Sequence, residues 1–167
     1  MGRDKALLPY EGTAMAAHVA AALRTGGCDP VLAIGGDSCA LAQLGLTTVP
    51  DLWPGEGPLG GVITALQHFA DHDVVVIAAC DLPRVSASTV AALIGALVGA
   101  TDVAMAVTGR AQPLCAAWRP KAASNLSAAF ADGTRRILDA LAGLQVIEVA
   151  VDAGELINVN TADDLPG

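Results

Sequence analysis

The chain has 167 residues, which is the length of one domain with a buried core, and we therefore expect a single domain over residues 1–167. Its formal net charge is −8 and only 3% of its residues are aromatic. This composition argues against nucleic acid and against an anionic membrane surface as partners, because both attract basic proteins and single strands stack on aromatic side chains. An acidic protein that handles phosphates must concentrate cations locally, as a metal ion or as a few Lys and Arg side chains.

Membrane insertion and secretion find no support in the sequence. The least polar long stretch, residues 85–101, is interrupted by Ser, Thr and Gly and is too short and too polar to span a bilayer. Charged residues at positions 3–5 precede any apolar run, which predicts the absence of a signal peptide. Cysteines without Cys-x-x-Cys spacing or nearby histidine pairs argue against zinc and disulfides, so we expect reduced thiols in a cytoplasmic protein.

The predicted elements of the first half alternate between helix and strand. A helix over 13–24 ends at Gly26 and Gly27. It is followed by a strand at 30–34, a helix at 38–44, a strand at 46–49, a Pro- and Gly-rich loop at 50–58 and a helix at 59–70. Residues 74–79 form an apolar, β-branched run between two aspartates, which is typical of a strand buried on both faces.

The second half continues the alternation. Ser86 is a plausible N-cap for a helix over 86–98. The remaining predicted elements are strands at 102–107 and 114–118, helices at 121–131 and 134–141, a strand at 146–151, an extended segment at 157–160 and a terminal turn whose capping box pairs Thr161 with Asp164.

This order predicts an α/β fold of three layers, Rossmann-like, with a mostly parallel sheet covered by helices on both faces. Ligands of such sheets bind beyond the carboxyl ends of the strands. The candidate ligand-binding segments are therefore the loops that follow strands, at 35–37, 50–61, 80–83 and 158–161.

Asp81 is the first candidate, because it directly follows the predicted buried strand. A carboxylate there can hold Mg²⁺, which favours one or two carboxylates together with substrate phosphates and water. The alternative is a turn or helix-capping aspartate, since Asp-x-Pro is common turn chemistry.

A glycine-rich loop at 54–61 leads into a predicted helix and contains Gly57, Pro58, Leu59 and Gly60. Glycines there let backbone N–H groups approach a phosphate or a base closely. The loop is neither a Walker A loop nor Gly-x-Gly-x-x-Gly, so an ordinary loop remains open. Asp51 before it could accept hydrogen bonds from a base or ribose, or could only start a turn.

Cations and amides complete the candidate set. Arg3 and Lys5 could neutralise a triphosphate, and Arg135 with Arg136 offers a second basic pair, although either pair could simply be solvated. Asn158 and Asn160 lie two residues apart in an extended segment, so their amides point the same way and could recognise a polar heterocycle. They could equally be turn residues. No histidine has a catalytic spacing, and no nucleophile elbow occurs.

Taken together, these segments resemble the molybdenum cofactor guanylyltransferase family. Residues 1–8, Met-Gly-Arg-Asp-Lys-Ala-Leu-Leu, are similar to the second half of the family's glycine-rich signature. The later segments follow in the family's order over nearly the whole chain, at 51–61, 80–83, 133–136 and 158–161.

The resemblance implies a nucleotide-binding α/β domain that transfers GMP from GTP to molybdopterin carrying molybdenum and releases pyrophosphate. It implies that Asp81 holds Mg²⁺, that Lys5 stabilises the triphosphate with Arg3 beside it, and that Asp51 and residues 57–61 form the nucleotide pocket. Asn158, Asn160 and Arg135 would lie toward the pterin. Other proteins of molybdenum cofactor biosynthesis are candidate partners.

The implied reaction suits these residue types. The attacking terminal phosphate of molybdopterin is largely ionised near neutral pH, since a second phosphate pKa is about 6. A strong general base is therefore unnecessary, and alignment and charge neutralisation suffice.

One departure keeps alternatives open. The family's signature begins upstream of Met1 with a strand and a Leu-Ala-Gly-Gly loop. A shifted start, a non-catalytic binding protein, and a site completed by another chain each account for this. The alternatives to guanylyl transfer are cytidylyl transfer to the same acceptor and a non-catalytic nucleotide- or molybdopterin-binding accessory protein. A sugar-nucleotide transferase fits the Asn-x-Asn-Thr ending less well.

Overall fold

The computed structural model describes residues 5–159. Its strands are β1 (Pro9–Tyr10), β2 (Thr13–Ala14), β3 (Leu32–Ile34), β4 (Thr47–Val49), β5 (Val75–Ala78), β6 (Val103–Val107), β7 (Ala111–Trp118) and β8 (Val146–Ala150). Its α-helices are α1 (Met15–Thr25), α2 (Ser38–Gln43), α3 (Pro58–His68), α4 (Ala87–Ala96), α5 (Ala122–Ala131) and α6 (Ile137–Ala140). Short 3₁₀ turns form at Lys5–Leu7 and Ala153–Leu156.

Within residues 5–159 the strands form three separate sheets. β1 and β2 make a small antiparallel hairpin, and β3 pairs with β4 in parallel. The main sheet has the order β5-β7-β6-β8. In it β7 is antiparallel to both neighbours and β8 is parallel to β6, so β5, β6 and β8 run in one direction and only β7 is reversed.

Helices cover both faces of the main sheet, which confirms the three-layer α/β architecture. On one face, side chains such as Ile77, Met105 and Trp118 pack into a core with α3 and α5. On the other face, their neighbours such as Ala78 and Ala104 pack against α1 and α4. This alternation is what a strand's two-residue period imposes when both faces are buried.

Most predicted elements are confirmed to within a few residues of their ends. Ser86 is the N-cap of α4, and its side chain accepts a hydrogen bond from the Thr89 backbone N–H at 3.1 Å. The predicted Asn160, Thr161 and Asp164 lie outside the described residues.

Two predicted helices differ from the structure. The helix predicted at 13–24 begins later, because Thr13 and Ala14 pair with β1 across a turn in which Glu11 and Gly12 both have positive φ. The helix predicted at 134–141 shrinks to Ile137–Ala140, because Gly133 takes a φ of 93° and Arg136 is extended. The connection between the strands predicted at 102–107 and 114–118 is also shorter than expected, since β7 already begins at Ala111.

The prediction that the strand at 74–79 is buried on both faces is wrong. Within β5 only Val75 is buried, and Val76, Ile77 and Ala78 are half-buried. The physical reason is a cavity along one edge of β5, described below.

Candidate active site

A large cavity of about 780 Å³ lies between β3 and β5. Its polar end is formed by loops that follow β3, β4 and β5, which is where the strand order predicts a ligand site. Six candidate or neighbouring residues line this end: Gly35, Asp51, Gly57, Pro58, Asp81 and Asn158. The structure therefore brings together residues that are more than 100 positions apart in the chain.

Asp81 is held in place from its backbone and from its side chain. The Val159 backbone N–H donates to the Asp81 carbonyl oxygen at 2.9 Å, and the Asn158 amide Nδ2 donates to Asp81 Oδ2 at 3.1 Å. Val159 is itself buried against Tyr10 and Met15, which anchors the segment carrying Asn158. Asn158, predicted to face the pterin, thus has a carboxylate partner that the sequence did not indicate.

The second carboxylate oxygen of Asp81 is buried and has no hydrogen-bond partner within residues 5–159. A buried carboxylate oxygen without a partner is costly unless a cation or a donor satisfies it. That orphaned oxygen fits a Mg²⁺ ion. No group of three or more His, Cys, Asp or Glu side chains suitable for a metal occurs within the described part, so substrate phosphates would have to complete the coordination.

Asp51 fixes the loop that precedes α3. Its Oδ1 accepts the Trp53 backbone N–H at 3.0 Å and lies 3.2 Å from the Thr64 hydroxyl. The same hydroxyl lies 2.9 Å from the Gly60 carbonyl oxygen, which ties the loop to the first turns of the helix. Of the two roles predicted for Asp51, the structure displays the turn role.

The glycine-rich loop meets α3 at a tight junction. Gly57 is the N-cap with a φ of 93°, and Pro58 occupies the first turn of the helix, where its missing N–H costs nothing. A Cβ on Gly60 would lie 3.0 Å from the Trp53 Cβ, so any larger residue at this position would require Trp53 to shift. Leu59 is fully buried in the core, which leaves only its backbone for nucleotide contacts.

Arg135 lies outside the cavity lining and braces the loop from its outer side. Its Nε donates to Glu56 Oε2 at 2.9 Å, and its guanidinium stacks 3.9 Å from the centroid of the Phe130 ring. A further hydrogen bond of 2.8 Å reaches the Phe130 carbonyl oxygen. Arg136 instead points to Asp139 at 3.8 Å. The predicted basic pair is therefore split.

Lys5 starts the first 3₁₀ turn and is exposed. The adjacent Ala6 lines the cavity and packs with Ala16 and Ala20 of α1, so Lys5 is attached to the wall of the site. Arg3 and Asn160 lie outside the described residues.

Sequence reasoning missed Glu56 and Gln112. Glu56 belongs to a loop that the sequence singled out, but its ion pair with Arg135 spans 79 positions, and no local pattern reveals such a pair. Gln112 comes from β7 and lines the cavity. The sequence placed Gln112 between two predicted strands, because β7 begins earlier than predicted.

The chain matches known proteins both in sequence and in fold. The model of the family described as the MobA-like NTP transferase domain matches residues 1–146. A probable molybdenum cofactor guanylyltransferase of Chloroflexus aggregans is 35% identical, over 83% of this chain and 71% of that protein. A molybdenum cofactor guanylyltransferase of Bradyrhizobium sp. is 32% identical, over 98% of this chain and 82% of that protein.

Among solved structures, the chain is similar to molybdopterin-guanine dinucleotide biosynthesis protein A from Archaeoglobus fulgidus. The TM-score is 0.75 at 26% identity, and the match covers 98% of this chain and 87% of the other. The family match, the identities and the shared fold together lead to one conclusion. The chain belongs to the MobA-like NTP transferase family.

Proposed function

We propose that this protein is a molybdenum cofactor guanylyltransferase, which transfers GMP from GTP to molybdopterin carrying molybdenum and releases pyrophosphate. The observation that carries the proposal is the buried, unpartnered Asp81 oxygen at the polar end of the cavity. Two curated relatives that match most of the chain are named for this activity. We further propose that the protein acts in the cytoplasm.

In the proposed site, Asp81 would hold a Mg²⁺ ion through the carboxylate oxygen that has no hydrogen-bond partner within residues 5–159. A bound Mg²⁺ would offset the negative charge that develops on the pyrophosphate leaving group. Asn158 holds the other carboxylate oxygen through its amide and so fixes the direction in which Asp81 points.

The remaining candidates would position the two polyanionic substrates. The loop at Gly57 and the first turn of α3 offer backbone N–H groups to the nucleotide. Lys5, and Arg3 beside it, would add positive charge near the phosphates. Asn158 and Asn160 would lie toward the pterin, and Arg135, also expected there, would hold Glu56 and with it the nucleotide loop in place.

Charge neutralisation and alignment supply the catalysis in this scheme. The acceptor phosphate is ionised near neutral pH because its second pKa is about 6, so no side chain has to remove a proton. The polar end of the cavity lining contains the carboxylates Asp51 and Asp81.

Two alternatives use the same cavity. Cytidylyl transfer to the same acceptor would differ in the base that the loop selects. A non-catalytic accessory protein would bind nucleotide or molybdopterin without turnover. Under either alternative, other proteins of molybdenum cofactor biosynthesis would be partners of this chain.

The test is calorimetric titration of GTP, CTP and ATP into the protein with Mg²⁺, repeated with Asp81→Asn. This substitution keeps the side-chain shape and removes the charge. We expect GTP to bind in preference to CTP and ATP, and Asp81→Asn to weaken Mg²⁺-dependent GTP binding about tenfold or more, since loss of a metal ligand or its support costs about 10–100-fold.

The matched control is Asp71→Asn, which removes an exposed carboxylate at the opposite end of the strands. It should leave GTP binding unchanged. Preference for CTP would favour the cytidylyl alternative, and equal Mg²⁺-dependent binding by Asp81→Asn and the unmodified protein would refute the role of Asp81.

A further inference from the structure

A buried tyrosine lies beside the loop that carries Asp81. Tyr10, the last residue of β1, is 3% exposed and packs with Met15 and Val159. A tyrosine buried to this degree needs a hydrogen-bond partner for its hydroxyl. Arg84 provides it, because its Nε donates to the Tyr10 hydroxyl oxygen at 2.7 Å. Tyr10 and Arg84 lie 74 positions apart, and neither has a part in the transfer reaction proposed above.

Tyr10 is itself attached to α1. The His18 Nε2 donates to the Tyr10 carbonyl oxygen at 2.8 Å, and the two rings meet edge to face with their centroids 5.2 Å apart. At the start of the helix, the Met15 backbone N–H donates to the Leu8 carbonyl oxygen at 2.9 Å. Helix α1 thus holds the backbone and the ring of Tyr10, while the hydroxyl bonds to a different part of the chain.

Two consecutive turns connect Arg84 to Asp81. The Leu82 backbone N–H donates to the Ala79 carbonyl oxygen at 3.2 Å, and the Val85 backbone N–H donates to the Leu82 carbonyl oxygen at 3.1 Å. Leu82 and Val85 are also buried in the core together with residues of α1 and α4. Because the loop is this short and tightly folded, the position of Arg84 constrains the position of Asp81.

A second connection from Tyr10 to Asp81 runs through Val159. The Val159 side chain packs with Tyr10, and its backbone N–H donates to the Asp81 carbonyl oxygen at 2.9 Å. The Asn158 amide next to it donates to Asp81 Oδ2 at 3.1 Å. Tyr10 therefore supports Asp81 from two sides, through Arg84 on the loop and through Val159 on the segment that carries Asn158.

This support bears on the carboxylate oxygen proposed to hold Mg²⁺. Asn158 bonds to one of the two Asp81 oxygens, and the other is buried without a partner within residues 5–159. That second oxygen must keep its direction if it is to share a metal ion with substrate phosphates. Contacts that orient metal ligands commonly change metal affinity by about 10–100-fold. Contacts one step further from the metal, such as those of Tyr10, should have a smaller effect.

We propose that Tyr10 and Arg84 are positioning residues for the Asp81 carboxylate. Their hydrogen bond holds the loop after β5 against α1, and the Tyr10 ring holds the Val159 segment in the same place. Neither residue contacts a substrate in this proposal. It rests on the proposed function, because it deepens the role of Asp81 at the Mg²⁺ site.

Arg84 could also act through its charge, since it is an exposed cation close to Asp81 in a protein of net charge −8. A cation in that place attracts polyphosphates without any contact to Tyr10. Tyr10→Phe separates the two effects, because it removes the hydrogen bond to Arg84 and leaves every charge unchanged. The phenylalanine ring also keeps the packing with Val159.

The first measurement is amide hydrogen exchange of the whole protein without nucleotide, followed by NMR. In Tyr10→Phe we expect the Val159 amide to exchange at least about threefold faster, because Arg84 no longer holds the loop that carries its acceptor. The amides of Val103 and Ala104, buried in the main sheet, should exchange at unchanged rates. Unchanged exchange at Val159, or an equal acceleration at all three amides, would overturn the proposal.

The second measurement is the Mg²⁺ concentration that half-saturates GTP binding. We expect Tyr10→Phe and Arg84→Met each to raise it at least about threefold. The double variant should raise it no further than the larger single effect, because both substitutions remove the same hydrogen bond. Arg24→Met is the control, since it removes an exposed cation in the last turn of α1 and should leave the Mg²⁺ dependence unchanged.

A Tyr10→Phe variant with unchanged Mg²⁺ dependence would contradict the positioning role. Additive effects in the double variant would show that Arg84 acts by its own charge, and an equal effect of Arg24→Met would show that net charge suffices. Exchange at Val159 needs neither GTP nor Mg²⁺. It therefore decides the role of Tyr10 even if the unmodified protein binds no GTP, which is the result that would count against the proposed function.

Discussion

Asp102 is a charged side chain that the fold nearly buries, with 9% of its surface exposed. The backbone N–H of Gln145 donates to its Oδ2 at 2.9 Å, and the Lys121 ammonium lies 2.8 Å from its Oδ1. These hydrogen bonds, together with the charges of Lys121 and Arg119, lower the pKa of Asp102 below its usual value of 3.8. The contacts join the loop before β6 to the segments that follow β7 and precede β8.

The lowered pKa predicts a pH-dependent stability. Since the folded-state pKa is depressed, the contribution of Asp102 is complete above pH 3.8 and is lost as the pH falls through the folded-state value. We expect Asp102→Asn to reduce the free energy of unfolding at pH 7 by about 2 kcal/mol, the range for hydrogen bonds to charged groups.

Urea denaturation at pH 7 and at steps down to pH 3 measures this effect. The difference between the two proteins should shrink as the pH approaches 3. Asp132→Asn, at an exposed position just after α5, is the control and should change little at any pH. A constant difference between Asp102→Asn and the unmodified protein over the whole range would contradict the assignment.

At single positions, the sequence predicted the place in the fold of those candidate residues whose local pattern is informative. Asp81 follows a β-branched run, and Asp51 precedes a glycine-rich loop, so both could be placed at the carboxyl ends of strands. The Asn158 contact with Asp81 and the Glu56 pair with Arg135 could not be predicted, because each joins residues 77 or 79 positions apart. Only the folded chain decides which distant polar groups meet.

Among the elements, the junction between the glycine-rich loop and α3 contains two neighbouring glycines whose surroundings differ. A Cβ on Gly60 would meet the Trp53 Cβ at 3.0 Å, whereas a Cβ on Gly61 would have Ile34 at an ordinary 3.9 Å. Both lie within the helix Pro58–His68, where alanine is favoured over glycine by about 1 kcal/mol. The two glycines therefore share the same helical preference for alanine, and they differ in the steric contact that an added methyl group would make.

We expect Gly61→Ala to raise the free energy of unfolding by up to about 1 kcal/mol. Gly60→Ala should lose that gain or become destabilising, because Trp53 and the Asp51 turn must move to admit the methyl group. Urea denaturation of the two variants side by side measures the difference. Equal stabilisation by both substitutions would show that the loop adapts freely and does not depend on Gly60.

Elements whose apolar residues recur with a clear period could be predicted, whereas elements that depend on the conformation of a single turn could not. α4 has the signals that the sequence offers, with Ser86 as a capping residue before an apolar helix. The β1–β2 hairpin was missed because its strands are two residues each and its turn uses Glu11 at positive φ, an uncommon choice for a residue other than glycine. Strands of two residues are too short to show an alternation of apolar and polar residues.

For the whole molecule, alternation of helices and strands predicted the fold class and the location of the site, but not how the strands pair. The β7 strand inserts antiparallel between β5 and β6 because a tight turn after β6 makes a hairpin. The split between the β3–β4 pair and the main sheet is likewise a property of the complete structure. No helix in the described part is long and apolar enough to cross a membrane.

The measurement that tests the central claim most directly is pyrophosphate release from GTP in the presence of molybdopterin carrying molybdenum and Mg²⁺. It is made with the unmodified protein, with Asp81→Asn and with Asp71→Asn as the control. The account predicts release that requires the acceptor, is coupled to formation of the guanylyl dinucleotide, and falls at least tenfold in Asp81→Asn alone. Acceptor-dependent release that Asp81→Asn retains in full, or release that is specific for CTP, would contradict it.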